Sequence, residues 1–465
     1  MRPHHMLLRT LFFLLLPATM LAQDAPSPLL DSFLKAEATY KRFNGNVLVA
    51  RGGQVLYERS VGYRNFDTKE PLDANSLFDL ASVSKQFTAM GILLLREDGR
   101  LQLTDTLRHF FPELPYSGVT LQQMLTHSSG LPDYEAAMAQ GWNPGKVAFN
   151  ADMIRFLATE KPAMEFAPGT RWAYSNTAYA LLASVIEKVA AQPLRAFLDT
   201  RIFTPLGMKR SRIYNTRRSA PEAIPDYAFG YLWSDSLGRW MLPDSLPQFR
   251  FVHTLDGIQG DGVVNSTTSD LLLWNRALQA STLLPPARQQ EMLRAQFVVD
   301  SAAGTGYGYG VFTGHSPFGP VRYHSGGWPG YTTYLWYAAD SDLTIIVLSN
   351  NGSNAPAVAT ALAHLLHGRP VEFPYTHKEI AIDTALLRRY AGRYTMTAPF
   401  ELFVRNGVLY RGGRTPMALK PESATKFFYA DGSDRQLEFA TGPGGELLHA
   451  WFINNGIRTE LKKLP

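Results

Sequence analysis

The chain has 465 residues, with 45 Lys and Arg against 40 Asp and Glu, a formal charge of +5, 45% hydrophobic residues and no cysteine. A chain of this length can bury a large hydrophobic core, and its near-balanced charge gives no reason to propose nucleic acid as a partner. The missing thiols exclude a cysteine nucleophile, a cysteine-ligated metal and a cysteine-linked lipid anchor, and leave the fold without disulfides.

At the N-terminus Arg2 and Arg9 flank a polar start, followed by an apolar run from Leu11 to Leu16, then Pro17 and small residues up to Ala22. This pattern predicts a secretory signal peptide over residues 1–22, cleaved after Ala22. The apolar run is too short, and too soon broken by proline, to read as a spanning helix. No later stretch is long and apolar enough to cross a bilayer. The mature protein is therefore expected to have no stable membrane span and to reside in the bacterial periplasm or be secreted.

After the leader, Leu30 to Tyr40 reads as a helix, and Gly45 to Ala50 and Val55 to Tyr57 read as a hairpin around Gly52 and Gly53. Next come Ser82 and Lys85, three residues apart where an apolar helical pattern begins with Phe87, Met90, Leu93 and Leu94. One helical turn brings the two side chains together, and a serine there sees the positive end of the helix dipole. An amine that can lose its charge could accept the hydroxyl proton and turn a weak nucleophile into a useful one. The same S-x-x-K spacing recurs at Ser32 with Lys35 and at Ser423 with Lys426. Neither is a persuasive site, because one follows the leader directly and the other lies in a turn-rich, strand-rich tail.

A helix over Val119 to Leu125 ends in a Thr126 to Tyr134 stretch, where His127 is read as structural. Tyr174 and Asn176 precede a largely buried helix, a position that presents polar side chains to a cleft. The glycine turn Gly260 to Val264 lacks the lysine and spacing of a phosphate loop and reads as structural; it leads to a capped helix start at Ser266 to Asp270. Strands are predicted over Tyr307 to Phe312, Val321 to Gly327, Tyr331 to Tyr337 and Leu343 to Leu348, with a helix over Ala357 to Leu366. Such a succession implies an α+β core with an antiparallel sheet. His324 and Gly326 form the only His-x-Gly in the chain, and glycines there would let a substrate lie against the strand edge. His364 and His367 have no further ligand spaced to join them and are expected to be solvated. From about Pro370 the composition shifts. Residues 369–384 read as a linker, and residues 385–465, opening with Leu387 to Tyr394, read as short strands forming a small antiparallel barrel or sandwich. No metal or cofactor motif is found, and the oligomeric state is not readable.

Three motifs in fixed order, Ser82-x-x-Lys85, Tyr174-Ser175-Asn176 and His324-Ser325-Gly326, closely resemble the serine β-lactamase and penicillin-binding-protein-like family. The branch resembled holds class C β-lactamases, D-Ala-D-Ala carboxypeptidases, D-aminopeptidases and related esterases. Gly45 to Ala50, Phe78 to Lys85, Leu125 to Pro132 and Phe203 to Met208 look like that branch as well. The resemblance implies a catalytic domain over residues 25–368, an antiparallel sheet flanked by helices beside a mostly helical subdomain, followed by the small all-β domain. It implies that Ser82 is the acylated nucleophile and that Lys85 and Tyr174 move its proton, with the choice of base between them left open. His324 is expected in the catalytic set. The backbone N–H groups of Ser82 and Gly327 are expected to form the oxyanion hole, and Asn176, Ser325, Gly326 and Tyr134 to contact substrate.

Where efficient class C β-lactamases carry Lys-Thr-Gly, this chain has His324, Ser325 and Gly326. An unperturbed histidine, with a pKa of about 6.5, is mostly neutral at neutral pH, so a permanent cation for a substrate carboxylate is missing there. The expectation is an exported serine hydrolase that takes an ester or a D-amino-acid-containing peptide. The alternatives are a D,D-carboxypeptidase or β-lactamase acting on cell-wall peptides or β-lactams, and a non-catalytic peptide- or glycan-binding protein.

Overall fold

A computed structural model describes residues 27–214 and 224–465; the leader read over residues 1–22 lies outside the described residues. Helix α1 (Ser27–Tyr40) leads into β1 (Gly45–Arg51) and β2 (Gln54–Val61). The hairpin between them turns on Gly52 and Gly53, at φ +58° and +81°, a region that glycine enters without a Cβ clash. Six later strands complete the sheet: β3 (Phe297–Asp300), β4 (Thr305–Tyr307), β5 (Phe312–Ser316), β6 (Gly319–Trp328), β7 (Tyr331–Ala338) and β8 (Leu343–Ser349). The order is β3-β4-β5-β6-β7-β8-β1-β2, with every neighbouring pair antiparallel.

Strand alternation sends the two faces of this sheet into two cores. Val47, Val49, Ile345 and Val347 pack with α1 and with a C-terminal helix, Ala355–Leu366. Leu48, Ala50, Ile346 and Leu348 face the opposite core, which holds α2 (Lys85–Glu97), α3 (Asn176–Ala190) and α4 (Thr268–Ala280). Because both faces are covered, every residue of β8 is buried. Helix α3 is buried from Thr177 to Ile186 and packs on α2 and on the short helix Leu121–Leu125, which forms part of the helical subdomain. Ser82 and Lys85 therefore lie where the helical part meets the sheet.

Four sequence expectations shift. The helix expected from Val119 begins at Leu121, because the Thr120 side chain accepts a hydrogen bond from the Gln123 N–H and caps it. The strand expected over Tyr307 to Phe312 is two strands, β4 and β5, with a tight loop between. Gly310 sits there at φ +76°, and a Cβ on it would lie 2.9 Å from the Lys85 carbonyl oxygen; the glycines serve close packing on α2, not strand alternation. His364, expected in solvent, is buried, whereas His367 is exposed as expected, with its ring stacked on Phe318 at 4.1 Å. Finally, Leu387 opens no strand: α6 (Thr384–Tyr390), numbered after the Ala355–Leu366 helix as α5, is capped by Asp383, whose Oδ1 accepts from the Ala385 N–H at 2.8 Å.

The rest of the tail is a closed antiparallel barrel of eight strands: β9 (Gly392–Thr395), β10 (Pro399–Arg405), β11 (Val408–Arg411), β12 (Met417–Pro421), β13 (Lys426–Tyr429), β14 (Arg435–Thr441), β15 (Leu447–Asn454) and β16 (Ile457–Lys463). Its buried core includes Tyr394, Leu402, Leu409, Leu419, Phe427, Leu437 and Phe439. Closure removes free strand edges. At the junction the Phe373 ring meets Phe33 edge-on at 5.6 Å, and Lys41 Nζ pairs with Asp434 at 2.7 Å. Among the described residues no helix is long and apolar enough to cross a membrane.

Candidate active site

The backbone before Ser82 is pinned at several points. The Leu80 N–H donates to the Val264 carbonyl at 2.9 Å, Thr333 Oγ1 donates to the Leu80 carbonyl at 2.7 Å, and the Ala81 N–H donates to Asp79 Oδ1 at 2.8 Å. Between these anchors Ala81 is held at φ +45°, a conformation that costs a residue with a Cβ about 1–3 kcal/mol and persists only where its surroundings enforce it. A single 3-10 turn, Ala81–Ser84, then carries Ser82, and α2 starts at Lys85. Ser82 thus stands on a strained turn at the N-terminal end of the helix, where the spacing places it.

Lys85 is fully buried. Its Nζ lies 3.1 Å from Ser82 Oγ, 2.8 Å from Asn176 Oδ1 and 2.7 Å from the Asp261 carbonyl oxygen. Asn176 opens α3 just after Ser175, whose side chain accepts from the Ala178 N–H. The other end of the Asn176 carboxamide donates through Nδ2 to Glu135 Oε1 at 2.7 Å. The Tyr174 ring lies with its centroid 4.9 Å from Lys85 Nζ and 4.2 Å from the ring of His127. His127 is buried, at φ +58°, and its Nδ1 accepts from the Ser175 N–H at 3.0 Å. Burial first, then repulsion from Lys85 and from any proton added to His324, pushes its pKa well below the usual imidazole range; it holds the Tyr174 loop as a neutral ring.

His324 sits in the middle of β6. Its side chain is buried, with Nε2 3.0 Å from the Tyr307 hydroxyl and Nδ1 2.7 Å from the Ser325 carbonyl oxygen. Burial, reinforced by Lys85, pushes its pKa down to about 3. The ring is a neutral, hydrogen-bonded part of an aromatic cluster with Tyr307 and Phe312, and it is not among the groups that line the cleft beside Ser82.

Strand β6 supplies the cleft's other wall. Its neighbour β5 pairs only as far as Tyr323, so the stretch from His324 to Trp328 is laddered to β7 alone. Gly326 faces the Ser82 turn so closely that a Cβ would lie 2.2 Å from the Leu80 carbonyl and 2.2 Å from Thr333 Oγ1. It serves backbone approach and offers substrate no side. Ser325 is exposed, and a Cβ on Gly327 would meet nothing within 4 Å. Ser82 and Gly327 line one cleft together with Asn176, Tyr134, Glu135, Asp261 and Trp328. Tyr134, expected to contact substrate, is buried with its hydroxyl donating to Asp261 Oδ2 at 2.9 Å. The chemistry available is an amine-paired serine hydroxyl facing an open strand edge.

The other Ser-x-x-Lys pairs hold no such arrangement. Ser32 Oγ donates to the Pro28 carbonyl at 2.8 Å, and Lys426 is paired with Glu372. Sequence reasoning missed two members of the site. Asp261 was set aside with its glycine turn, yet that turn delivers a carbonyl to Lys85. Glu135 adjoins Tyr134 in the same stretch, but nothing in the sequence signals its contact with Asn176. Burial, then the charges of Asp261 and Asp133, raise the Glu135 pKa to about 7.

The family model described as Beta-lactamase matches residues 30–369. The chain is 41% identical over 398 residues to penicillin-binding protein 4* of Bacillus subtilis (strain 168), an alignment covering 83% of this chain and 88% of that protein. It is 28% identical over 352 residues to a D-aminopeptidase of Cereibacter sphaeroides, covering 73% of this chain and 64% of that protein. Among solved structures, an octameric penicillin-binding protein homologue from Pyrococcus abyssi superposes with a TM-score of 0.67 at 26% identity, covering 94% of this chain and 99% of that one. With Ser82, Lys85 and the open edge of β6 gathered at one cleft, and with matches of this extent, the chain belongs to the β-lactamase family as a serine hydrolase related to penicillin-binding proteins.

Proposed function

We propose that this protein is an exported hydrolase working through an acyl-Ser82 intermediate on a D-amino-acid-containing peptide or a related ester. The observation that carries this reading is the 3.1 Å pairing of Ser82 Oγ with a buried Lys85 amine beside the open edge of β6. That pairing supports Lys85 as the group that takes the hydroxyl proton while Oγ attacks the substrate carbonyl. Negative charge developing on the carbonyl oxygen is met by the backbone N–H groups of Ser82 and Gly327, and the loss of one such donor typically costs about 3–4 kcal/mol of transition-state stabilisation. The proton passes to the leaving amine or alcohol by way of Lys85 and Tyr174. Water then attacks the acyl carbon, giving its proton to the same base; the bond from that carbon to Ser82 Oγ breaks, the base returns the proton to Oγ, and the acid product leaves. Asn176 orients the substrate amide.

The cleft lining favours an amine-bearing substrate over one anchored by a free carboxylate. Among the described residues lining it are the carboxyl groups of Asp79, Glu135, Asp256 and Asp261, and no arginine or lysine. His324, buried and neutral, supplies no cation. The D-aminopeptidase relative fits this reading. The test is hydrolysis of D-alanine p-nitroanilide, its L-enantiomer and N-acetyl-D-alanyl-D-alanine by the wild type and Ser82→Ala. Preferential, Ser82-dependent cleavage of the D-amine substrate is expected. Faster release of terminal D-alanine from the acetylated dipeptide would replace this reading with a carboxypeptidase. Export, read from residues 1–22, is tested by fractionating cells that express the full chain.

A further inference from the structure

A carboxamide is nearly the same shape at both ends, and only its hydrogen-bond partners decide which end faces which neighbour. Asn176 sits between two such partners, with Oδ1 toward Lys85 Nζ at 2.8 Å and Nδ2 toward Glu135 Oε1 at 2.7 Å. The orientation matters to the proposed reaction, on which this inference rests. A neutral amine has two N–H bonds and one lone pair. In the structure Lys85 Nζ donates to Ser82 Oγ, to Asn176 Oδ1 and to the Asp261 carbonyl; when the amine gives up one proton, the two carbonyl oxygens hold its remaining N–H bonds and the lone pair is left for the Ser82 hydroxyl. Were Asn176 turned end for end, its Nδ2 would donate to Lys85 and occupy that lone pair. The Asp261 carbonyl belongs to the backbone and cannot switch; Asn176 can.

We propose that Glu135 is a positioning residue whose carboxylate fixes the Asn176 carboxamide with its oxygen toward Lys85, keeping the amine lone pair directed at Ser82. An ionised carboxylate only accepts hydrogen bonds and so admits only the Nδ2 end of Asn176. A protonated one can donate, and it then accommodates the reversed amide. The device is therefore sensitive to pH. The groups that face Glu135 are Asp261, Asp133, Lys85 and Asn176. Burial and the first two hold its proton on up to about pH 7, against the opposing pull of Asn176 and Lys85. Acylation should rise with pH through about 7 as Glu135 ionises.

The test compares the wild type with Glu135→Gln and Glu135→Leu in two readouts. The first is the pH profile of kcat/KM for p-nitrophenyl acetate, corrected by Ser82→Ala. The second is the 15N-resolved signal of the Asn176 side-chain amide, identified by its loss in Asn176→Asp. The wild type is expected to show an acid limb near pH 7 and an Asn176 signal that titrates with the same midpoint. In Glu135→Gln, whose amide can present either end, both should disappear and kcat should fall by about tenfold, less than the roughly 10²–10⁴-fold of a group that transfers the proton itself, because Glu135 acts through Asn176. Glu135→Leu should lose at least as much while melting cooperatively. An unchanged acid limb in Glu135→Gln, or an Asn176 signal that ignores pH near 7, would overturn the proposal. Because the amide signal needs no turnover, a titrating Asn176 with no Ser82-dependent hydrolysis would support the orientation and count against the hydrolase reading.

Discussion

His324 carries a stability signature that its burial dictates. Folding lowers its pKa from 6.5 to about 3, so between those values the unfolded chain binds the extra proton and stability rises with pH. The contribution is complete above about 6.5 and is lost as pH falls toward 3, at no more than about 1.4 kcal/mol per pH unit for one group. His127 acts in the same direction. Glu135 and Asp261, with pKa values raised by burial, act in the opposite one. The comparison must therefore be between variants. Melting temperature measured from pH 7 down to pH 4 should fall less steeply for His324→Gln than for the wild type, and parallel curves would remove His324 from the titrating set.

At the scale of elements, β6 separates two kinds of glycine. Gly326→Ala places a methyl group against the Leu80 carbonyl and Thr333 Oγ1, which are fixed by the turn that carries Ser82. Overpacking of this kind costs about 1–3 kcal/mol, and it should lower both melting temperature and kcat. Gly327→Ala meets nothing within 4 Å and should leave the melting temperature unchanged while altering KM or kcat through the cleft. Equal thermal effects from the two substitutions would contradict the assigned packing.

The same strand shows what was legible beforehand. The β6, β7 and β8 runs were readable because their apolar residues cluster between turns, and the Ser82 to Lys85 pairing because one helical turn has a fixed length. The loop between β4 and β5 was misread because Gly308 and Gly310 mimic strand alternation, while Gly310 answers to a neighbour more than two hundred residues earlier, the Lys85 carbonyl. Glu135 and Asp261 escaped for the same reason: their contacts with Asn176 and Lys85 are tertiary and leave no local pattern. The His-x-Gly motif pointed to the correct strand, but register alone could not tell that His324 turns inward to Tyr307. In the tail, β12 has only five residues, and the barrel's closure depends on pairing β9 with β16, which no local pattern specifies.

For the whole molecule, the sheet and helical parts share the cleft, whereas the barrel has its own core and supplies no residue to the cleft lining. Ending the chain after Pro374 keeps the Phe373 contact with Phe33 but removes the Lys41 pairing with Asp434. The shortened chain should retain Ser82-dependent ester hydrolysis and the same preference among substrates, with a lowered melting temperature. A changed preference would give the barrel a part in substrate selection.

The measurement that bears most directly on the central claim is intact-mass spectrometry of the wild type and Ser82→Ala, each mixed with a short-chain activated ester and with benzylpenicillin while small-molecule products are followed. The account predicts a transient acyl adduct in the wild type, mapped to the peptide containing Ser82, and neither adduct nor turnover in Ser82→Ala. Hydrolysis retained by Ser82→Ala, or an adduct mapped to another residue, would contradict it.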